Sequence, residues 1–556
     1  MALLSRGHDV SNLFSIRPYR FVPSLLTVVL CLAWLLPGLI GHEPWKGDEA
    51  ETMGLIHSIL SGMPVAVPTL AGEPWLGVPP LYSIVGAMFA HLFAPWLPAH
   101  DAARLAGGFF VLLALLFAGF AGRELYGSEH GRLAALVLVG SVGLWVRAHE
   151  SIPQTALLAG VAMVGYGAAL SVRRAYLGGA IVGTGLGISF MSVGVVETFA
   201  LAMALLALPV FSPHWRQWRT LQAALMTLLA VAPWLLIWPW ALWQAAPSLL
   251  IDWWHSQVQA RLVFWGASGV TWTAYYFKFL PWFAWPAWPL ALWTLWHARR
   301  EQLTSTGVVL PVAMWLSMTL VLSFTVDPSP DNGLPILIPL AWLAAGSAFT
   351  LRRGAANALY WFAMMSFGVV AIAAWIYWSA FDLGVPAQLA AHVRKLQPSY
   401  VGDVHPFPVL MAVLYCVAWV VLLVRMQRSP QRPLIAWAAG MALTWGLAAS
   451  LFERPMDERM GYDGVMKSMQ VHLPSRSCVA SEGVNAGARA MLDYYLGVQT
   501  LRVEDTVAPT CSVLLVEIDA DTDVIPTRAG WRAVWHGHRA GNRTEHFILY
   551  RKIKRK

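Results

Sequence analysis

Apolar residues along this chain gather into runs of about 17–25, the length an α-helix needs to cross a hydrocarbon core. Thirteen runs are expected to span: 22–41, 104–122, 131–146, 154–171, 175–191, 194–211, 219–240, 272–297, 306–325, 333–350, 357–378, 405–424 and 433–451. A further run, 79–97, is long and apolar enough to compete. After about residue 455 the period changes. The segments 512-SVLLVEID-519 and 545-EHFILYRK-552 alternate as strands do, and 485-NAGARAMLDYYLG-497 reads as a helix. The pattern predicts an α-helical polytopic membrane protein, with a transmembrane part over 1–454 and a small α/β domain over 455–556.

Arginine placement orients the spans. With Arg6, Arg17 and Arg20 cytoplasmic and 79–97 lying along the interface, every later cluster falls inside, as the positive-inside rule asks. These clusters are Arg123/Arg132, Arg173/Arg174, Arg216/Arg219, Arg299/Arg300, Arg352/Arg353 and Arg425/Arg428/Arg432. A crossing by 79–97 would move all of them outside. The outward loops are then 42–103, 147–154, 241–271, 326–333 and 379–405, and the C-terminal domain is outward too. The middle of 379–405 has helical periodicity and is expected to lie on the membrane. The first span lacks a small-residue cleavage site and reads as a retained anchor.

Composition agrees with this class: 57% of residues are hydrophobic and 12% charged, against roughly 25% charged in soluble domains. The 30 tryptophans suit the headgroup boundary. A net charge of +8 invites nucleic acid as a partner. No basic stripe with interleaved aromatics accompanies it, so no nucleic-acid partner is expected and the positive balance reads as topology. Cys31 and Cys416 lie within spans, whereas Cys478 and Cys511 are the pair in the outward domain, where a disulfide is favoured.

Polar residues collect at one surface rather than along span centres, where pumps and proton relays keep theirs. That pattern suits an enzyme acting on outer-leaflet substrates. The first candidates are Asp48, Glu49 and Glu51. In a helix over 47–61, Asp48 and Glu51 share a face at i, i+3, with Glu49 turned away. Acids also complement the macrodipole in a first turn, which accounts for one or two of the three. Transfer of a sugar from a lipid phosphate needs a general base beside the attacking group; Asp48 is the first choice and Glu49 the second. A departing phosphate needs cations or donors, and the outward cations are Lys46, Arg104, Arg147, Arg261, Lys278, Arg394 and Lys395. His149 and Glu150 share a short polar turn with Arg147. His255 beside Trp253 and Trp254 has the composition to contact a sugar, although interfacial tryptophans often only anchor. Asp327 and Asp331 sit in a Pro/Gly-rich turn, where aspartate is favoured for local hydrogen bonding. No His/Cys array has metal-ligand spacing. No metal ligand is assigned, and a divalent metal stays open as a cofactor.

The run Asp48-Glu49, Gly62-Met63-Pro64, Pro68, Gly72-Glu73-Pro74 and Pro79-Pro80-Leu81-Tyr82 resembles the first external loop of bacterial GT-C glycosyltransferases. The similarity is to the aminoarabinose transferases of lipid A and the related protein mannosyltransferases. The segments 104-RLAGGFFVLLALLFAGFAGRELYG-127, 183-GTGLGISFMSVGVV-196, 272-WTAYYFKFLPWFAWP-286 and 334-LPILIPLAWLAAG-346 resemble later spans of that family, in order. The resemblance implies a multispanning bacterial inner-membrane enzyme. Such an enzyme transfers a sugar from a polyprenyl-phosphate donor, with inversion, to a lipid, glycan or protein acceptor on the periplasmic side. It makes Asp48 the catalytic carboxylate and Arg261 the phosphate ligand, with Arg147 or Lys278 assisting. Glu51, Glu150, Gln154, His255 and Tyr82 are expected to line the substrate cavity. The chain departs from the family at Gly77 and Val78, where an acid and a lysine are expected. It departs again at Glu51 for an arginine, Ser192 for a lysine, Gln154 for an aspartate and Gly333 for a tyrosine. These losses leave a rival reading, a lipid-linked sugar transporter or flippase, or a catalytically degenerate relative.

Overall fold

The computed structural model describes residues 24–262, 275–299, 303–326, 328–398, 400–473, 478–504, 511–519, 526–540 and 545–553. Arg6, Arg17, Arg20 and Asp327 lie outside them. Among the described residues, eight helices are long and apolar enough to cross a membrane: Ala99–Tyr126, Gln154–Ser171, Ala175–Val193, Trp218–Ala245, Thr306–Ser323, Arg353–Leu383, Pro406–Arg425 and Arg432–Leu451. Shorter helices occupy the other expected positions. The run 131–146 forms Ser128–Val139, which stops early and leaves Arg147 in an irregular turn. The run 272–297 divides into Tyr275–Phe283 and Ala287–Ala298 around Pro281 and Pro286. A proline ring supplies no N–H to the helix ladder.

Four helices at the start of the chain set up the site: α1 (Ser24–Leu35), α2 (Asp48–Leu60), α3 (Leu81–Phe93) and α4 (Ala99–Tyr126). The run 79–97 yields only the 13 residues of α3, about 20 Å at 1.5 Å per residue, which is short of a bilayer core. One end of the bundle gathers the arginine-rich turns, tied by Arg173 to Glu124, Ser212 Oγ to Thr304 O (2.7 Å) and Arg432 to Tyr360 Oη (2.7 Å). The opposite end carries α2, the 147–153 turn and residues 328–333. Between the ends the helices approach closely on small residues: a Cβ on Gly160 would stand 2.7 Å from Gly185 O.

Two short strands, β1 (Thr69–Leu70) and β2 (Glu73–Pro74), form a hairpin after α2. The C-terminal region forms a five-stranded sheet from β3 (Val479–Glu482), β4 (Thr500–Arg502), β5 (Val513–Asp519), β6 (Trp531–Gly537) and β7 (Glu545–Lys552), in the order β4-β3-β5-β7-β6. The strands β3, β4 and β5 run parallel, and β7 pairs antiparallel with β5 and β6. The helix Ala486–Leu496 makes the parallel crossover from β3 to β4. Its Asn485 side chain accepts from Ala488 N (2.8 Å), and Gly497 ends it in the left-handed conformation. Cys478 and Cys511 form a disulfide beside this sheet.

The crossover helix packs on α2. A Cβ on Gly54 would fall 2.5 Å from Ala490 Cβ, and one on Gly487 would fall 3.3 Å from Ala50 Cβ. Trp45 Nε1 donates to Asp457 Oδ1 (2.8 Å) and Lys46 N to Met460 O (3.0 Å). The C-terminal region therefore fixes the flank of α2 opposite the bundle.

Candidate active site

Gly47, at a φ of 87° that favours glycine, turns the chain into α2, so Asp48 becomes the first helical residue. Asp48 is exposed and has no hydrogen bond or ion pair among the described residues. Glu51, one turn on, is half-buried. Burial and the like charge of Asp48 push its carboxyl up to about 7.

Glu49 points the other way and is 3% exposed. Its Oε2 accepts from Trp45 N (3.0 Å), and its Oε1 from Ser151 N (3.1 Å) and Arg104 Nε (2.8 Å). Burial alone would raise this carboxyl, but the guanidinium and these donors hold it below the usual range. Arg104 is 1% exposed. It also donates to Asp101 Oδ1 (2.9 Å) and His42 O (2.9 Å), which occupies its fork. This placement gives neither Glu49 room to act as a base nor Arg104 room to hold a phosphate. Tyr82 was expected in the cavity but is fully buried behind this web, its Oη 3.1 Å from Ser151 Oγ.

Arg147 organises the second cluster. Its NH1 donates to Glu150 Oε2 (2.6 Å) and its Nε lies 2.7 Å from Asp331 Oδ1. Burial pushes Glu150 up to about 7 against the pull of Arg147, and burial likewise raises Asp331. Asp48 lies close enough for its charge to act on both Arg147 and Asp331. Three carboxylates, Asp48, Glu150 and Asp331, thus act on one guanidinium, and Glu51 adds a fourth acid beside Asp48. Asp331 holds more than a turn: its partner is an arginine from a different loop. His149, between them in sequence, turns inward to stack on Trp445 at 4.0 Å.

Arg261 lies 2.7 Å from Glu197 Oε1 through its NH2. Glu197 is 2% exposed in an otherwise apolar helix, Val195–Phe211. The Arg261 carbonyl accepts from Val326 N (2.9 Å), which joins this segment to the strand-like approach to Asp331. Beside it Phe190, Leu235, Pro239, Ile251, Trp253 and Trp254 line an apolar groove of about 490 Å³. Lys278 is exposed, with no ion pair among the described residues, and the His255 ring bonds to Gln259 on its own helix. Gln154 heads its helix with Oε1 enclosed and without a hydrogen-bond partner among the described residues. Among the described residues no group of three or more His, Cys, Asp or Glu side chains is arranged to hold a metal ion.

Sequence reasoning missed Glu197 and undervalued Asp331. A single acid in an apolar span was the available signal for the first, and the i, i+3 pair Asp101–Arg104 was the signal for the buried web.

No family model and no curated protein matches the chain. Among solved structures it is similar to ArnT from Cupriavidus metallidurans bound to undecaprenyl phosphate, with TM-score 0.69 and 15% identity over 94% of this chain and 97% of that one. The apo form of ArnT gives a TM-score of 0.68 with the same coverage. A weaker similarity, with TM-score 0.45 and 10% identity, is to the archaeal oligosaccharyltransferase AglB from Archaeoglobus fulgidus. The chain therefore has the fold of ArnT, the GT-C architecture that the sequence resemblance implied.

Proposed function

We propose that this protein is an integral membrane glycosyltransferase of a bacterial inner membrane, with its site and C-terminal domain facing the periplasm. It moves a sugar from a polyprenyl-phosphate donor to an acceptor hydroxyl or amine. One observation carries the reading: beside the paired carboxylates Glu49, Glu150 and Asp331, Asp48 stands exposed and without a hydrogen bond or ion pair among the described residues, at the end where the apolar groove opens beside Arg261. The apolar groove is the place for a prenyl chain. Arg261, oriented by Glu197, meets the phosphate, with Lys278 as a second cation. The acceptor atom attacks the anomeric carbon as Asp48 takes its proton, and the bond from that carbon to the phosphate oxygen breaks. The leaving phosphate keeps the electron pair and is stabilised by Arg261. A single displacement inverts the anomeric centre. Glu49 serves as a positioning residue through Ser151 and Arg104, and Arg147 keeps Glu150 and Asp331 compensated beside the base.

The test compares the full-length protein with its Asp48→Asn variant in nanodiscs, using undecaprenyl-phosphate aminoarabinose and undecaprenyl-phosphate mannose as donors. Expected is covalent transfer with release of undecaprenyl phosphate, lost at least about 10³-fold in the variant, within the range that acid–base catalysis supplies. Unchanged turnover in D48N refutes the assignment. Lipid-sugar movement across sealed vesicles without a covalent product would establish the transporter reading instead.

A further inference from the structure

A polar cavity lies at the same end of the bundle and shares no lining residue with the apolar groove or the carboxylate cluster. The helices Arg353–Trp378, Pro406–Arg425 and Arg432–Leu451 converge on it with their site-side ends. Its volume is about 80 Å³. Trp378 and Asp382 come from the first helix and its continuation, Tyr400, Asp403 and His405 from the segment leading into the second, and Glu453 and Arg454 from just beyond the third. Tyr400 Oη donates to Asp382 Oδ1 (2.8 Å), and Asp403 Oδ2 lies 3.2 Å from His405 Nε2. The Arg454 guanidinium rests against the His405 ring and has no carboxylate partner among the described residues. Three carboxylates thus share a small space with one guanidinium, whose charge acts on the neighbouring Glu453 carboxyl.

The surroundings indicate what enters it. Only 17% and 11% of the apolar windows of Arg353–Leu383 and Pro406–Arg425 are buried. Phe407, Leu410, Ile372 and Ile376 are exposed on those helices near the cavity. An occupant with apolar chains can therefore lie along the helices while its polar head fills the space. Carboxylates together with the aromatic faces of Trp378 and Tyr400 suit an ammonium, and Arg454 suits a phosphodiester. The carboxylates are acceptors, and a primary ammonium offers them three N–H donors where a trimethylated one offers none.

We propose that this cavity binds the headgroup of a phospholipid bearing a primary ammonium. The ammonium meets Asp382 and Asp403 beside Trp378 and Tyr400, and the phosphodiester meets Arg454. A chain of contacts leads from the cavity to the buried Glu49 web behind the proposed base. A Cβ on Gly41 would stand 2.6 Å from Glu453 Oε1, and Gly41 N donates to Asp101 Oδ1 (3.0 Å), which pairs with Arg104 and so with Glu49.

The experiment is native mass spectrometry of the full-length protein released from detergent and titrated with equal amounts of the palmitoyl-oleoyl phospholipids POPE, POPC and POPG. POPE should be retained at least about fivefold over each of the others, the ratio that roughly 1 kcal/mol confers. Asp382→Asn/Asp403→Asn should abolish the preference, and Arg454→Gln should lower retention of POPE. Equal retention of the three lipids by the wild-type protein overturns the proposal. Asp403→Asn alone tests the ammonium contact without a folding penalty, since that carboxylate is 71% exposed. A preference unchanged in D403N also overturns it.

Discussion

Replacing Arg104 by methionine keeps the apolar stem and removes all five donors, which separates the support of the site from its chemistry. Glu49 would keep its bonds from Trp45 N (3.0 Å) and Ser151 N (3.1 Å), and Asp101 its bond from Gly41 N (3.0 Å), but both would lose their counter-charge inside the protein. Removing one partner of a buried ion pair costs about 3–5 kcal/mol, because the remaining charge is stranded. The pH dependence supplies a signature. In the wild-type protein the Glu49 carboxyl is depressed, so its contribution is present above its unfolded value and is lost as pH falls. In R104M burial dominates and raises that carboxyl. A raised value favours the fold at acid pH and is lost as pH rises. Thermal unfolding in detergent, followed by tryptophan fluorescence at pH 5 and pH 8, should therefore show R104M nearest to wild type at pH 5 and furthest below it at pH 8. Glu49→Gln/Arg104→Met should recover part of the loss. Asp48→Asn should unfold at the wild-type temperature while losing transfer. A midpoint for R104M equal to wild type at both pH values would refute the reasoning.

Glu51→Gln removes a carboxyl raised to about 7. Since that raised value costs stability as pH rises, E51Q should be more stable than wild type by about 1–3 kcal/mol at pH 8 and equal to it at pH 4, as measured by the same melts. Arg261→Gln should lower kcat/KM for the polyprenyl donor by about 10–100-fold, the worth of charge-assisted hydrogen bonds to a phosphate, and steady-state kinetics in nanodiscs would expose an intact rate as a refutation. Cys478→Ser/Cys511→Ser opens a loop of sequence separation 33. It should destabilise the C-terminal region by about 2–5 kcal/mol, read as earlier proteolysis of the sheet. Gly54→Val drives a side chain into Ala490 and Leu70. It should lower kcat with less effect on donor KM, because it displaces the base rather than the phosphate ligand.

Helical positions were legible because lipid-length apolar runs permit few alternatives, and the strands at 513–519 and 545–552 because period-two alternation persisted through them. The order of β4-β3-β5-β7-β6 was not, since pairing between distant strands leaves no local mark. At the site, Asp48 could be singled out by its place at the head of a helix after a span. The roles of its neighbours could not. Glu49 and Asp48 are adjacent in sequence, and only the helical turn sends one toward Arg104 and the other toward solvent. Tyr82 sits in the motif expected to border the cavity, yet its ring fills the space behind Ser151. The partnership of Arg147 with Asp331 joins loops separated by many spans, and the tie of Arg261 to Glu197 joins a loop to the buried start of a helix.

The residues that seat α2 have a consequence for the order of events during synthesis. Trp45 and Asp457 are 412 positions apart, and the helix against which Gly54 and Ala50 pack ends at Leu496. A ribosome that has made every apolar helix of the bundle has still not made the wall on which α2 leans. The proposed base therefore stays unseated while the bundle helices are made, until the last-made part has folded against α2.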